Sequence, residues 1–158
     1  MDKFLIKGPT KLRGSVEISG SKNAALPIMV SCIAYPGIYT LNNVPNLRDT
    51  RTIVKLMEVI GCKIDWHKNT LIINSIDCDN PVAPYNLVKT MRASFYVLGP
   101  LLSRFKKAKV SLPGGCAWGP RPVDFHIKAF EKMGANIVLD EGYVLADGEL
   151  GGTNIDFK

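Results

Sequence analysis

The sequence predicts an α/β protein assembled from repeated βαβαββ units, with two units and the opening of a third inside 158 residues. Three observations carry this. Displacing the sequence against itself by 73 residues places Ser21 on Ser94, Pro27 on Pro100, Arg48 on Arg121, Gly61 on Gly134 and Ile64 on Ile137, so one displacement relates both halves and marks a duplicated unit. Within each half, stretches of strand period alternate with stretches of helix period. A chain that is 46% hydrophobic and 22% charged has enough apolar surface for a packed core and too little charge for disorder.

The first unit runs over residues about 15–80. Residues 14–19 alternate as a strand. Ser21 then caps a helix that carries Pro27 in its first turns and that Pro36-Gly37 ends. Residues 38–41 read as a strand and 42–46 as a loop. Residues 49–60 form an amphipathic helix with Ile53, Leu56, Met57 and Ile60 on one stripe, closed by Gly61. Residues 62–66 and 70–74 make a hairpin about His67-Lys68-Asn69.

The second unit, about 83–148, repeats the order: a helix over 87–104, a strand over 108–112, a Pro/Gly loop, a helix over 122–133, and a hairpin of 136–139 with 143–146 about Glu141-Gly142. Each unit has an apolar helix face that it cannot bury alone, so copies must pack against one another. The Gly-rich stretch 147–152 leads into residues 153–158, which read as the first strand of a third copy in a longer protein.

The balance of 20 cationic against 14 anionic side chains, a formal +6, favours an anionic partner. Nucleic acid is not the expected one. The dense basic run, Arg104 to Lys109, falls where a helix gives way to a strand and lacks the aromatic interleaving of a single-strand binder. No signal peptide and no membrane span are expected, because the longest apolar-leaning stretch, 24–35, is interrupted by Pro27 and Ser31. Cys32, Cys62, Cys78 and Cys116 show no CxxC pairing and no histidines at metal spacing, and read as reduced thiols of a cytoplasmic protein.

Cys116 stands apart from the other three. It is displayed on the loop Pro113-Gly114-Gly115-Cys116-Ala117-Trp118-Gly119-Pro120-Arg121, with an arginine five residues on and a helix start close behind, and both favour the thiolate. The competing reading is a loop cysteine without a role.

Three motifs in order, Gly20-Ser21-Lys22-Asn23-Ala24-Ala25-Leu26-Pro27, Lys89-Thr90-Met91-Arg92-Ala93-Ser94 and the Pro113-Gly114-Gly115-Cys116 loop through Arg121-Pro122-Val123-Asp124, resemble the UDP-N-acetylglucosamine 1-carboxyvinyltransferase family. The likeness spans the whole chain but well under half of that family's usual length. It implies the inside-out α/β barrel shared with 5-enolpyruvylshikimate-3-phosphate (EPSP) synthase. Residues 1–20 would belong with a second domain built from the C-terminal half, and 21–158 would be part of the domain that binds UDP-N-acetylglucosamine and phosphoenolpyruvate. It also implies enolpyruvyl transfer from phosphoenolpyruvate to the sugar 3-hydroxyl with release of phosphate, the first committed step of peptidoglycan synthesis, with no metal and no redox cofactor.

By the same resemblance, Lys22 would meet phosphoenolpyruvate and its developing charge, Asn23 the sugar hydroxyl region, and Arg92 the phosphate region. Cys116 would protonate the methylene carbon or add to phosphoenolpyruvate. Arg121 would bridge both substrates, and Arg121, Pro122, Val123, Asp124 and Phe125 would line the uridine pocket. Read without the family, Lys22 and Asn23 are solvated residues of a helix start and Arg92 a surface arginine; His126 is a packing or surface histidine, and Cys32, Cys62 and Cys78 are core or surface thiols. Phe125 replaces the family's frequent leucine, and Ala117-Trp118-Gly119-Pro120 is stiffer than its usual small-residue loop. Other groups of the site lie in the other domain, so the chain alone is expected to be inactive. The alternatives are a shikimate-pathway transferase, which the Pro-Gly-Gly-Cys loop disfavours, a non-catalytic nucleotide-binding fragment, and a basic nucleic-acid-binding domain.

Overall fold

The computed structural model describes residues 3–113 and 123–156. The first copy contains α1 (Lys22–Ser31), β1 (Ile38–Leu41), α2 (Arg48–Ile60), β2 (Lys63–His67) and β3 (Thr70–Asn74). The second contains β4 (Val82–Ala83), α3 (Tyr85–Val88), a 3-10 turn (Arg92–Val97), α4 (Leu98–Phe105), β5 (Lys107–Ser111), α5 (Asp124–Lys132), β6 (Asn136–Asp140) and β7 (Tyr143–Asp147). The class is α/β with two separate sheets.

The duplication is visible in the strand ladders. One sheet has the order β1-β3-β2, and the other has β4-β5-β7-β6 with β4 parallel to β5 and the remaining pairs antiparallel. Lys63 faces Asn74 in the first hairpin and, 73 residues on, Asn136 faces Asp147 in the second. The hairpin turns use left-handed backbone at Lys68 (φ 52°), and at Glu141 and Gly142 (φ 46° and 80°), which matches the twist of the paired strands.

The helices pack on one another and on strands of both sheets and carry much of the core. Ser21 accepts the Ala24 N–H at 3.4 Å and caps α1, and Gly61 closes α2 in the left-handed conformation (φ 108°). The predicted stripe of α2 is wholly buried: Ile53, Leu56, Met57 and Ile60 are inaccessible to solvent. Thr50, also buried, is satisfied by donating to the Pro45 carbonyl at 2.8 Å. Met29 and Ile33 from the first copy meet Phe95, Leu98 and Leu101 from the second in the same core.

Three expectations are corrected. Residues 14–19 form no strand, and in 3–20 the apolar side chains of Phe4, Leu5, Ile6, Leu12, Val16 and Ile18 are 78–98% exposed. A strand is held by its ladder, and no strand among the described residues pairs with this one. The helix expected over 87–104 is broken into three pieces. Thr90 turns its hydroxyl onto the Leu87 carbonyl at 2.8 Å, competing with the helix ladder, and Pro100 has no N–H to offer the Tyr96 carbonyl. Residues 153–156 form no strand.

Candidate functional site

The candidate residues collect at the beginnings of helices. Lys22 is the first residue of α1, Arg92 the first of the 3-10 turn and Asp124 the first of α5, with Val123 as that helix's cap. Arg48 opens α2 in the same way. A helix start carries partial positive charge, so a cation there is locally disfavoured, and three of these four positions hold one. Local propensity does not explain that choice.

Lys22 is placed by its surroundings. Gly20 passes so close to Asn43 that a Cβ on it would overlap the Asn43 carbonyl, so only glycine lets the chain enter α1 along this path. The Lys22 ammonium then reaches across to Asp49 in the first turn of α2, with Nζ 2.7 Å from Oδ2. Both side chains stay partly open, at 42% and 32% exposure, which leaves the ammonium able to exchange its partner for an incoming anion. Asn23 follows, exposed. Along α2 a groove of about 450 Å³ is lined by Arg48, Arg51, Thr52, Lys55, Leu87 and Thr90 and is rich in positive charge.

A second cluster forms where α5 meets the 3-10 turn. His126 stacks edge-on against Phe95, with centroids 6.0 Å apart, and lies 6.3 Å from the Tyr96 ring. Burial pushes its pKa below the ordinary imidazole value, the Arg92 charge pushes the same way, and Asp124 opposes both. Its Nδ1 is buried without a hydrogen-bond partner among the described residues. Of the two readings the sequence left open for His126, packing and surface, the structure supports packing, with the Arg92 charge near enough to act on the ring. Val123 is buried, while Asp124 and Phe125 are exposed, with the Asp124 carboxylate 3.9 Å from Lys128 one turn on. Cys116, Arg121 and Pro122 lie outside the described residues.

The structure thus joins Lys22 to α2 and Arg92 to the segment after the cysteine loop. Sequence reasoning missed Asp49 and Arg48. The signal was present, since Asp49 is the acid in the first turn of the best-marked helix in the chain and Arg48 is the duplicate of Arg121. What was not legible is that Lys22, 27 residues away, would be its partner.

The remaining cysteines are buried thiols, as expected of core residues: Cys32, Cys62 and Cys78 are each about 5% exposed or less. Among the described residues no helix is long and apolar enough to cross a membrane.

Comparisons with known proteins agree with this geometry. The family described as EPSP synthase (3-phosphoshikimate 1-carboxyvinyltransferase) matches residues 6–158. A UDP-N-acetylglucosamine 1-carboxyvinyltransferase of Acinetobacter baylyi is 55% identical over 99% of this chain, and one of Chloroherpeton thalassium 52% identical over all of it. The chain spans 38% of the length of each. Among solved structures, the enolpyruvyl transferase NikO from Streptomyces tendae superposes with a TM-score of 0.76 over 91% of this chain and 32% of that one, at 20% identity, which shows a shared fold. With duplicated α/β units and a family match over nearly the whole of its length, the chain belongs to the EPSP synthase family of carboxyvinyl transferases.

Proposed function

We propose that this chain supplies one wall of an enolpyruvyl transferase site, acting on phosphoenolpyruvate and UDP-N-acetylglucosamine in the cytoplasm and serving peptidoglycan synthesis. The observation that carries the reading is the Lys22–Asp49 pair among cationic helix starts, in a chain half-identical to proteins that bear that enzyme's name. Both substrates are polyanions. An ammonium held by a carboxylate at 2.7 Å and still partly open can pass to a phosphate as charge shifts during the reaction, and fixed helix-start dipoles need no reorganisation to stabilise it. Arg92 adds charge on the phosphate side, Asn23 holds the sugar hydroxyl region, and Arg121 through Phe125 line the uridine pocket.

In this reading the methylene carbon of phosphoenolpyruvate takes a proton, the sugar 3-hydroxyl attacks C2 and gives up its proton, and phosphate leaves the tetrahedral ketal as the new methyl group loses a proton and the C=C bond is restored. Cys116 is the proton donor or the thiol that adds to phosphoenolpyruvate, and it is also the group that an epoxide such as fosfomycin alkylates. Residues 1–20 belong with a second domain, and the bare apolar side chains of 3–20 are the surface it covers. Residues 21–158 are the larger part of the substrate-binding domain, and catalysis requires groups from both. The shikimate-pathway alternative is disfavoured because the relatives matching at about half identity bear the UDP-N-acetylglucosamine name.

A chimera tests this: residues 1–158 replace the matching segment of the Acinetobacter baylyi relative, and phosphate release from phosphoenolpyruvate is followed. The expected result is release that depends on UDP-N-acetylglucosamine, a loss of at least about a hundredfold on Lys22→Ala, and no release by the chain alone. A folded chimera that releases phosphate only with shikimate 3-phosphate would overturn the reading.

A further inference from the structure

Away from the candidate site, two buried thiols face each other at the C-terminal end of α2. Cys62 Sγ and Cys78 Sγ are 3.0 Å apart, and the residues are 4% and 5% exposed. That separation exceeds a disulfide bond by only about 1 Å.

The backbones on both sides are already pinned. Cys62 directly follows the left-handed Gly61, and its N–H bonds the Met57 carbonyl at 2.9 Å. A Cβ on Gly61 would lie 3.1 Å from the Cys78 Cα, so the two strands of chain touch at this point. On the other side, Arg104 donates to the Ser75 carbonyl at 2.6 Å and to the Cys78 carbonyl at 3.1 Å. Asn80 holds the loop to the end of α2, its amide N–H on the Ile60 carbonyl at 3.3 Å and its side chain on the Val59 carbonyl at 2.9 Å. With the main chain fixed by these bonds, bringing the sulfurs into bonding distance takes side-chain rotation and no rearrangement of the fold.

We propose that Cys62 and Cys78 form an oxidation-sensitive dithiol, a modification site for peroxide-class oxidants whose disulfide staples the loop after β3 to the end of α2. The chemistry balances. One thiolate attacks a peroxide oxygen, giving a sulfenic acid and hydroxide; the second thiolate attacks that sulfur, the S–S bond forms and a second hydroxide leaves. Two thiols and one hydrogen peroxide thus become one disulfide and two waters, with sulfur oxidised and peroxide reduced. Burial and the neighbouring Cys78 push the Cys62 pKa up, only partly offset by the Arg104 charge, so the reaction waits on local opening and is slower than at an exposed thiol. Once formed, the bond closes the β2–β3 hairpin into a covalent loop and limits the unfolded chain. The site shares no residue with the proposed active site and stands independently of it.

The test uses the full chain with Cys116→Ser, so that no cross-link passes through that thiol. After hydrogen peroxide and alkylation in denaturant, peptide mapping should find Cys62 joined to Cys78 and two hydrogens lost. The melting temperature should rise by about 5–10 °C and return on reduction with dithiothreitol. Cys78→Ser and Cys78→Ala should each abolish the shift, and Cys32→Ser should leave it. Recovery of both cysteines individually alkylated, under conditions that fully oxidise glutathione, would overturn the proposal. So would a cross-link through Cys32, or a Cys62–Cys78 bond that forms only with loss of the circular dichroism of the fold.

Discussion

The two copies of the unit share a sheet order but use their second helices differently. In α2 the stripe Ile53, Leu56, Met57 and Ile60 is inaccessible to solvent, whereas α5, at the duplicate positions, carries His126, Ala129, Phe130 and Met133 and buries no residue fully. The loops in front of them differ as well. Leu41 of β1 and Val110 of β5 occupy the same register position, opposite Leu71 and Val144. Seven residues lead from Leu41 to Arg48, and eleven lead from Val110 to its duplicate Arg121. The four additional residues belong to the segment that contains Cys116, and the link from α4 into β5 is shorter by as many. One copy commits the stripe of its second helix wholly to the core, and the other leaves the duplicate stripe only partly buried behind a longer connection.

The contrast is broken most directly in the core. Leu56→Ala should cost about 2–5 kcal/mol, since the side chain is inaccessible and its neighbours on two helices cannot collapse onto the space. Phe130→Ala, on the partly exposed face of α5, should cost less, about 1–2 kcal/mol. Urea unfolding of both variants checks the ordering, and equal losses would mean that α5 is as integral to the fold as α2.

A smaller effect is expected at the join between copies. The Arg104 guanidinium in α4 donates to the carbonyls of Ile33, Ser75, Ile76 and Cys78, all from the first copy, whereas its duplicate Ser31 donates to the Ile28 carbonyl within its own helix. A planar fork serves several acceptors that an ammonium cannot reach together, so Arg104→Lys should destabilise by about 1–3 kcal/mol despite keeping the charge. Chemical denaturation reads this loss, and an unchanged midpoint would show that water replaces the fork at no cost.

The smallest effect concerns pH. His126 has its folded pKa lowered, so as pH falls below about 6.5 the unfolded chain takes up the proton first. Stability should therefore decline through that window and level off once the folded pKa is passed, and above it the neutral ring keeps its full contribution. Replacing the residue with the one-ring apolar isostere in His126→Phe should flatten this part of the profile. Thermal melts between pH 7.5 and 5 measure it, and an unaltered slope in the variant would assign the dependence to other groups.

What the sequence determined by itself is whatever is decided within a few residues. The caps at Ser21 and Gly61, the apolar stripe of α2 and both hairpins follow from local turn chemistry and periodicity, and the displacement of 73 residues carried the second hairpin into place at the same register. The helix start that holds Lys22 was legible for the same reason, and that of α5 to within two residues, whereas the one at Arg92 was not, since 87–104 reads as a single helix. Only the tertiary structure decided what depends on distant partners. Residues 14–19 alternate like a strand yet form none, because a ladder needs a neighbour. The helix after Pro84 breaks because a hydroxyl and an imino acid interrupt its hydrogen bonds at two points that a propensity sum averages away. Lys22 with Asp49 and Cys62 with Cys78 are pairs separated by 27 and 16 residues, brought together by packing of α1 on α2 and of a loop on a helix end. Periodicity reports which face of an element is apolar, but the identity of what meets that face is fixed only when the elements close on one another.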